Sequence, residues 1–219
     1  MDTGYWLNRW REGRTGWHHD AVMPLLSEHW PALEVARGTH VLVPFCGKTL
    51  DMLWLAEQGF RVLGVEISPL AIEQFFADNN LQADRHESAD GIRHVAGDIE
   101  IIEGDLFGVD AATLVECGAI YDRAAIIAQP PAERQRYVEH VYARLPAGAR
   151  GLMITLEYPQ AEMNGPPFSV EEPEVKRLLG DWNVGVAERR DILDGQPGFR
   201  EEGVTTLDTV VYRLQHTDA

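Results

Sequence analysis

Glu66 stands where a chain of this pattern would bind a ligand. It closes an apolar run, Val62-Leu63-Gly64-Val65, and lies nineteen residues after Gly47. Gly47 in turn follows a first apolar run, Val41-Leu42-Val43, through a tight turn at Cys46-Gly47. Between the two, Leu50, Leu53 and Trp54 recur at helical spacing. Strand, glycine turn, helix, strand and carboxylate is the plan of a nucleotide-binding βαβ unit, in which the acid accepts hydrogen bonds from ribose hydroxyls. Arg123 is the second candidate. It follows Tyr121-Asp122 at the end of another apolar run, where an open α/β sheet places its ligand crevice, and a guanidinium there can hold an anion. Its bland alternative is a structural ion pair with Asp122.

The turn excludes two familiar phosphate sites. Gly47-Lys48-Thr49 looks like the tail of a P-loop, but that motif needs a glycine five positions earlier, where Leu42 lies inside the strand. The dinucleotide G-x-G-x-x-G is missing too, because Gly47 stands alone. With one glycine, close approach of backbone to a pyrophosphate is disfavoured. A nucleoside ligand without phosphates fits better, and S-adenosylmethionine has a ribose and an adenine but no phosphate.

Several further segments carry the pattern of one family. VPFCGKTLDMLWLAEQGFRVLGVEIS resembles the core of the thiopurine S-methyltransferases of bacterial type, and the resemblance continues through WLNRWREGRTGWH near the start, IYDRAAI at 120–126 and GPPF at 165–168. It spans nearly the whole chain, with its motifs in order. The resemblance implies a Rossmann-like α/β fold: a doubly wound, seven-stranded sheet with its last strand antiparallel. It implies a helical lid over residues 1–38, ahead of a methyltransferase domain over 39–219. It assigns Trp10, Phe45, Glu66 and Arg123 to the cofactor, S-adenosylmethionine, with S-adenosylhomocysteine as product. Tryptophans usually bury for packing, so Trp10 alone would read as a core anchor; the family match makes it a residue packed over the cofactor. Phe45 stands where many relatives carry leucine. Asp105-Leu106 match a pair that lines the adenine pocket, and Arg14, Arg200 and His18 are candidate substrate contacts. The implied acceptor is an aromatic or heteroaromatic thiol, and bacterial relatives are associated with selenium and tellurium compounds. No catalytic residue is assigned, because an acidic thiol ionises without a dedicated base. The alternatives are a nicotinamide-dependent oxidoreductase and a non-catalytic S-adenosylmethionine-binding module.

The elements that must position these residues follow from pattern. Trp6 and Trp10 share one face of a short N-terminal helix, and residues 20–30 form a second, with Asp20 as N-cap. Ser68-Pro69 is a helix start ahead of Leu70 to Ala77. The polar stretch 80–93 reads as loop. Gly97-Asp98 is a turn between short strands, and Asp105 ends the second of them. Cys117 to Tyr121 and Gly151 to Glu157 read as strands, Pro131 to Leu145 and 170–179 as helices. Val184 to Ile192 and Thr205 to Leu214 close the sheet as an antiparallel pair. Strands alternating with helices imply a mostly parallel sheet covered on both faces.

Composition bounds the rest. The 219 residues fit one domain with a buried core, and 45% hydrophobic with 25% charged residues is ordinary for a soluble globule. A formal charge of −16 argues against nucleic acid or an anionic membrane as partner. Cys46 and Cys117 show no CxxC spacing and read as reduced thiols. The start has no signal-peptide pattern and no run is long enough for a membrane span. The expectation is a cytoplasmic monomer acting on a small-molecule thiol. His18-His19-Asp20 suggests a metal site, but the histidines at 29, 40, 86, 94, 140 and 216 show no ligand spacing, so no metal is expected.

Overall fold

The computed structural model describes residues 3–217. Two short helices, α1 (Thr3–Arg11) and α2 (Pro24–His29), precede the sheet. The chain then alternates through β1 (His40–Pro44), α3 (Asp51–Glu57), β2 (Arg61–Glu66) and α4 (Pro69–Asp78). Three strands follow without a helix: β3 (Asp84–Ser88), β4 (Gly91–Ala96) and β5 (Ile99–Glu103). Alternation resumes with α5 (Ala111–Leu114), β6 (Ala119–Arg123), α6 (Arg134–His140), β7 (Arg150–Glu157) and α7 (Glu172–Leu178). The chain closes with β8 (Trp182–Asp191), α8 (Pro197–Glu201) and β9 (Asp208–His216).

The sheet runs β3-β4-β5-β2-β1-β6-β7-β9-β8. From β5 to β8 this is the expected seven-stranded sheet. Within it the last strand, β9, is antiparallel to both β7 and β8. The order reverses at β1, which pairs in parallel with β2 on one side and β6 on the other. Side chains alternate across a strand, so each strand feeds two cores. Val41 and Val43 join Met52 and Leu55 of α3, Ile72 and Phe75 of α4, and Leu25 and Leu26 of α2. Leu42, between them, faces the opposite core with Tyr137 and Val138 of α6 and Val175 of α7. The sheet is thus covered on both faces.

Four expectations need correction. The sheet has nine strands, because the stretch 80–93 is not loop: Asp84–Ser88 and Gly91–Ala96 form an antiparallel hairpin added to the edge through β5. Its side chains show no apolar alternation because the strand at this edge is largely solvent-facing; backbone pairing and cross-strand ion pairs, such as Arg93 with Glu100 at 2.6 Å, hold it. The helix expected over 20–30 starts only at Pro24, with Met23 rather than Asp20 at its N-cap, as suits a proline in the first turn. Strand β5 ends at Glu103, and Asp105 instead caps the one-turn helix Leu106–Gly108 by accepting from the Phe107 N–H at 3.0 Å. The helix expected over 131–145 is broken at Val141. Ser68 does cap α4, accepting from the Ala71 N–H.

The break at Val141 has a physical reason. Tyr137 and Tyr142 both donate to Asp122 Oδ2, at 2.8 and 2.7 Å. Residues five apart in an unbroken α-helix point well away from each other, so the two hydroxyls converge only because the backbone turns between them. Asp122 is wholly buried and also accepts from the Ile126 N–H at 3.1 Å. Burial pushes its carboxyl above the usual range, and the two tyrosine donors pull it back.

Candidate functional site

A cavity of about 450 Å³ lies at the carboxyl ends of the parallel strands. Its walls come from the residues just beyond or at the ends of β1 (Phe45), β2 (Glu66), β5 (Asp105) and β6 (Arg123), and from the N-terminal segment (Trp10, Trp17). This is the topological switch point of the sheet, where neighbouring loops diverge and leave a crevice. Trp10, Phe45, Glu66 and Arg123, the residues singled out in the sequence, all line this one cavity.

Glu66 is only 5% exposed. Its Oε2 accepts from the Gly47 N–H at 2.9 Å and its Oε1 from the Ser68 N–H at 2.7 Å. The carboxylate therefore spans the turn after β1 and the start of α4. A carboxylate has about four acceptor sites, so these backbone donors leave acceptor capacity for a ligand. Burial pushes Glu66 up to about 6, against the pull of the backbone donors on Ser68 and Gly47. Gly47 itself sits at φ +53°, and a side chain there would stand 3.1 Å from the Trp10 ring. Glycine takes this left-handed backbone without strain and leaves room for the close tryptophan.

Phe45 has φ +47°, and Ala124, after β6, has φ +68°. Left-handed backbone costs a non-glycine residue about 1–2 kcal/mol. Both strained residues line the cavity, one at each side of the switch point. Phe45 is held by stacking on Tyr137, with ring centroids 6.1 Å apart. Cys46 is buried and tucks its sulfur beneath β2, where a side chain on Gly64 would come within 2.8 Å of it. Burial pushes its thiol well up, so Cys46 is a packing residue and not a nucleophile.

Arg123 does not pair with Asp122. Its Nη1 donates to Asp51 Oδ2 at 3.3 Å, and its Nη2 reaches the Trp17 carbonyl at 3.5 Å. Asp51, fully buried, also accepts from the Tyr121 hydroxyl at 2.9 Å and the Met23 N–H at 2.7 Å. This acid was missed in the sequence. It begins an amphipathic helix, and nothing in spacing links it to an arginine 72 positions on. Through Asp51 and Arg123 the N-terminal segment is fastened to the sheet at two points, Met23 and Trp17.

Three tryptophans of the N-terminal segment, Trp6, Trp10 and Trp17, cluster in the cavity lining. Trp17 packs edge-on against Trp6 at 5.2 Å and Trp10 at 5.8 Å. At the far end, Asp105 and Leu106 line the cavity with Phe107, whose ring is covered by the Arg136 guanidinium at 4.2 Å. His140 holds this loop, its Nε2 donating to the Leu106 carbonyl at 2.8 Å, and burial lowers its pKa.

Other candidates fall elsewhere. Arg14 pairs with Glu12 and Arg200 with Asp194, both largely exposed and neither lining the cavity. His18 faces a small adjoining cleft near Lys48 and Thr49, and its neighbour His19 lines the main cavity. Desolvation lowers the pKa of both. Spacing also gave no sign that Glu28, His29 and Glu188 converge, with ligand atoms within 4.8 Å of one another. None of them lines the cavity, and Arg190 already bridges both glutamates.

The lining suits S-adenosylmethionine: a buried acid with free lone pairs for ribose, a glycine turn with no phosphate cradle, and aromatic rings that favour a sulfonium over a polyphosphate. The comparisons agree. The sequence model of the thiopurine S-methyltransferase family matches residues 1–217. The chain is 62% identical to a thiopurine S-methyltransferase of Xanthomonas campestris pv. campestris, covering 98% of this chain and 99% of that protein. It is 55% identical to one from Bordetella parapertussis over the same shares. The fold is similar to that of a solved Burkholderia thailandensis 1,6-didemethyltoxoflavin-N1-methyltransferase with bound S-adenosylhomocysteine: TM-score 0.66, 16% identity, 99% of this chain and 87% of that one. The chain belongs to the thiopurine S-methyltransferase family and is an S-adenosylmethionine-dependent methyltransferase.

Proposed function

We propose that the enzyme methylates the sulfur of a small aromatic or heteroaromatic thiol, giving a thioether and S-adenosylhomocysteine. The observation that carries this reading is the make-up of the main cavity. The cavity that holds Glu66 is also lined by Trp6, Trp17, Ile154, Leu156 and Phe199, an apolar and aromatic enclosure suited to a flat ring. Selenium and tellurium compounds, softer nucleophiles of the same kind, are a second acceptor class.

The cofactor supplies a sulfonium methyl group whose leaving group is already activated by charge. The residues have the remaining tasks. Glu66 accepts from the ribose, Trp10 and Phe45 pack about the sulfonium end, and the Asp105-Leu106 loop borders the adenine. Arg123, drawn partly from Asp51, favours the ionised form of the thiol, because an opposite charge within about 4–6 Å lowers an acid's pKa. Residues 1–38 act as a lid over the domain 39–219 and keep water out, so that rate rests on alignment. No side-chain base is required for a thiol that ionises near neutral pH. This reading gives no metal a part in the transfer.

We place the protein in the cytoplasm as a monomer. Both cysteines are unpaired, and the exposed large hydrophobic residues among those described are isolated at Val115 and Val186. No helix among the described residues is long and apolar enough to cross a membrane.

The test is a mass-spectrometric product screen over aromatic thiols, selenols and tellurite, with and without EDTA. A methylated thiol formed equally in both conditions is expected. Methylation confined to nitrogen or oxygen acceptors would overturn the reading, and loss of rate with EDTA would overturn metal independence.

A further inference from the structure

Three arginines line the cavity: Arg9, Arg123 and Arg136. Arg123 pairs with Asp51 and Arg136 with Glu133. Arg9 makes no ion pair with any described carboxylate. Its Nε donates to the Arg14 carbonyl at 3.0 Å and its Nη1 to the Tyr5 hydroxyl at 3.3 Å. A guanidinium carries five N–H donors, and among the described residues these two bonds leave its Nη2 without a partner. The group is also fixed in place, lying 5.1 Å above the Trp17 ring and 5.7 Å from that of Tyr5. A planar cation clamped by aromatic rings with its fork open is the arrangement that takes a carboxylate or similar planar oxyanion. Charge makes the open fork more informative. The chain carries −16 overall, so an anionic substrate approaches against the general field and needs local cations to be held. Trp17 brings two of them to one place, with Arg9 over its ring and Arg123 at its carbonyl.

We propose that Arg9 is a specificity-determining residue that binds a second anionic group on the acceptor, a carboxylate-type oxyanion borne by the same molecule as the thiol. This rests on the S-methylation reading above. The acceptor is then a ring-bearing thiol acid, with its sulfur toward Arg123 and its acid group under the lid at Arg9.

The experiment compares wild type, Arg9→Gln and Arg9→Lys on thiophenol and 4-mercaptobenzoate, with S-adenosylmethionine affinity measured by calorimetry. The preference for the carboxylated thiol, read as the ratio of the two kcat/KM values, is expected to fall at least tenfold in Arg9→Gln. Arg9→Lys, which keeps the charge but loses the fork, recovers part of it. An unchanged ratio would overturn the proposal, as would a loss of cofactor affinity large enough to account for the whole effect. Should wild type methylate neither thiol, the S-methylation reading falls separately. Calorimetric binding of both thiols to wild type and Arg9→Gln in the presence of S-adenosylhomocysteine still decides the role of Arg9, since equal affinities in the two proteins would refute it.

Discussion

In the role proposed for it, Glu66 couples cofactor binding to pH. Its folded-state pKa, about 6, lies above the ordinary 4.5 because burial disfavours the charge. A tenfold change in an ionisation equilibrium corresponds to about 1.4 kcal/mol, so keeping the group ionised at neutral pH costs the folded protein about 2 kcal/mol. That cost disappears as pH falls through 6 toward 4.5. Ribose hydroxyls would donate to the ionised form, so binding would have the opposite dependence. Affinity for S-adenosylmethionine should be flat above pH 7 and fall up to tenfold per pH unit below about pH 6. Calorimetry from pH 5 to 8 checks this, and Glu66→Gln should remove the dependence along with most of the affinity. A break in the wild-type curve that survives in Glu66→Gln would assign the titration to another group. The amide also meets one of the Gly47 and Ser68 N–H groups with its own N–H, so the variant should melt several degrees lower.

One helix bends to satisfy a buried acid. The interruption of the helix at Val141 lets Tyr137 and Tyr142 share Asp122. Tyr142→Phe removes one donor from a buried carboxyl, a loss of about 1.5–3 kcal/mol. For a domain of this size that lowers Tm by about 3–12 °C; an unchanged melting curve would mean the break serves something else. The N-terminal helix buries little of its own surface, with Trp10 its one buried residue. Yet Trp6, Arg9, Trp10 and Trp17 all line the cavity. Deleting residues 1–17 should therefore cost at least a hundredfold in kcat/KM while lowering Tm by only a few degrees. Equal losses in both, or full activity, would contradict a lid.

At the scale of the molecule, 35 acidic against 19 basic residues leave the folded chain under self-repulsion. Its surface ion pairs contribute about 0–1 kcal/mol each and weaken with salt, while screening relieves the net charge. The net charge wins, because it acts over the whole surface: the Debye length falls from about 30 Å at 0.01 M to about 8 Å at 0.15 M. Tm should rise by a few degrees over that range of sodium chloride. A steady fall would show that local pairs, such as Arg93 with Asp90 and Glu100, dominate instead.

The sequence by itself determined the βαβ unit around Glu66, the alternation of strands and helices, and the place of Phe45, Glu66 and Arg123 at strand ends. These depend on local spacing and apolar periodicity, which are written along the chain. Strand β3 and the start of β4 escaped because their pairing is made by backbone groups and their mostly polar side chains leave no apolar pattern, while the Gly97-Asp98 turn from β4 to β5 was legible. Asp51 as the partner of Arg123 and the convergence of two tyrosines on Asp122 were decided only by the tertiary structure. Each joins residues from separate elements in a low-dielectric interior. There a charge or hydroxyl must find a partner wherever the fold brings one, and sequence distance carries no record of that choice.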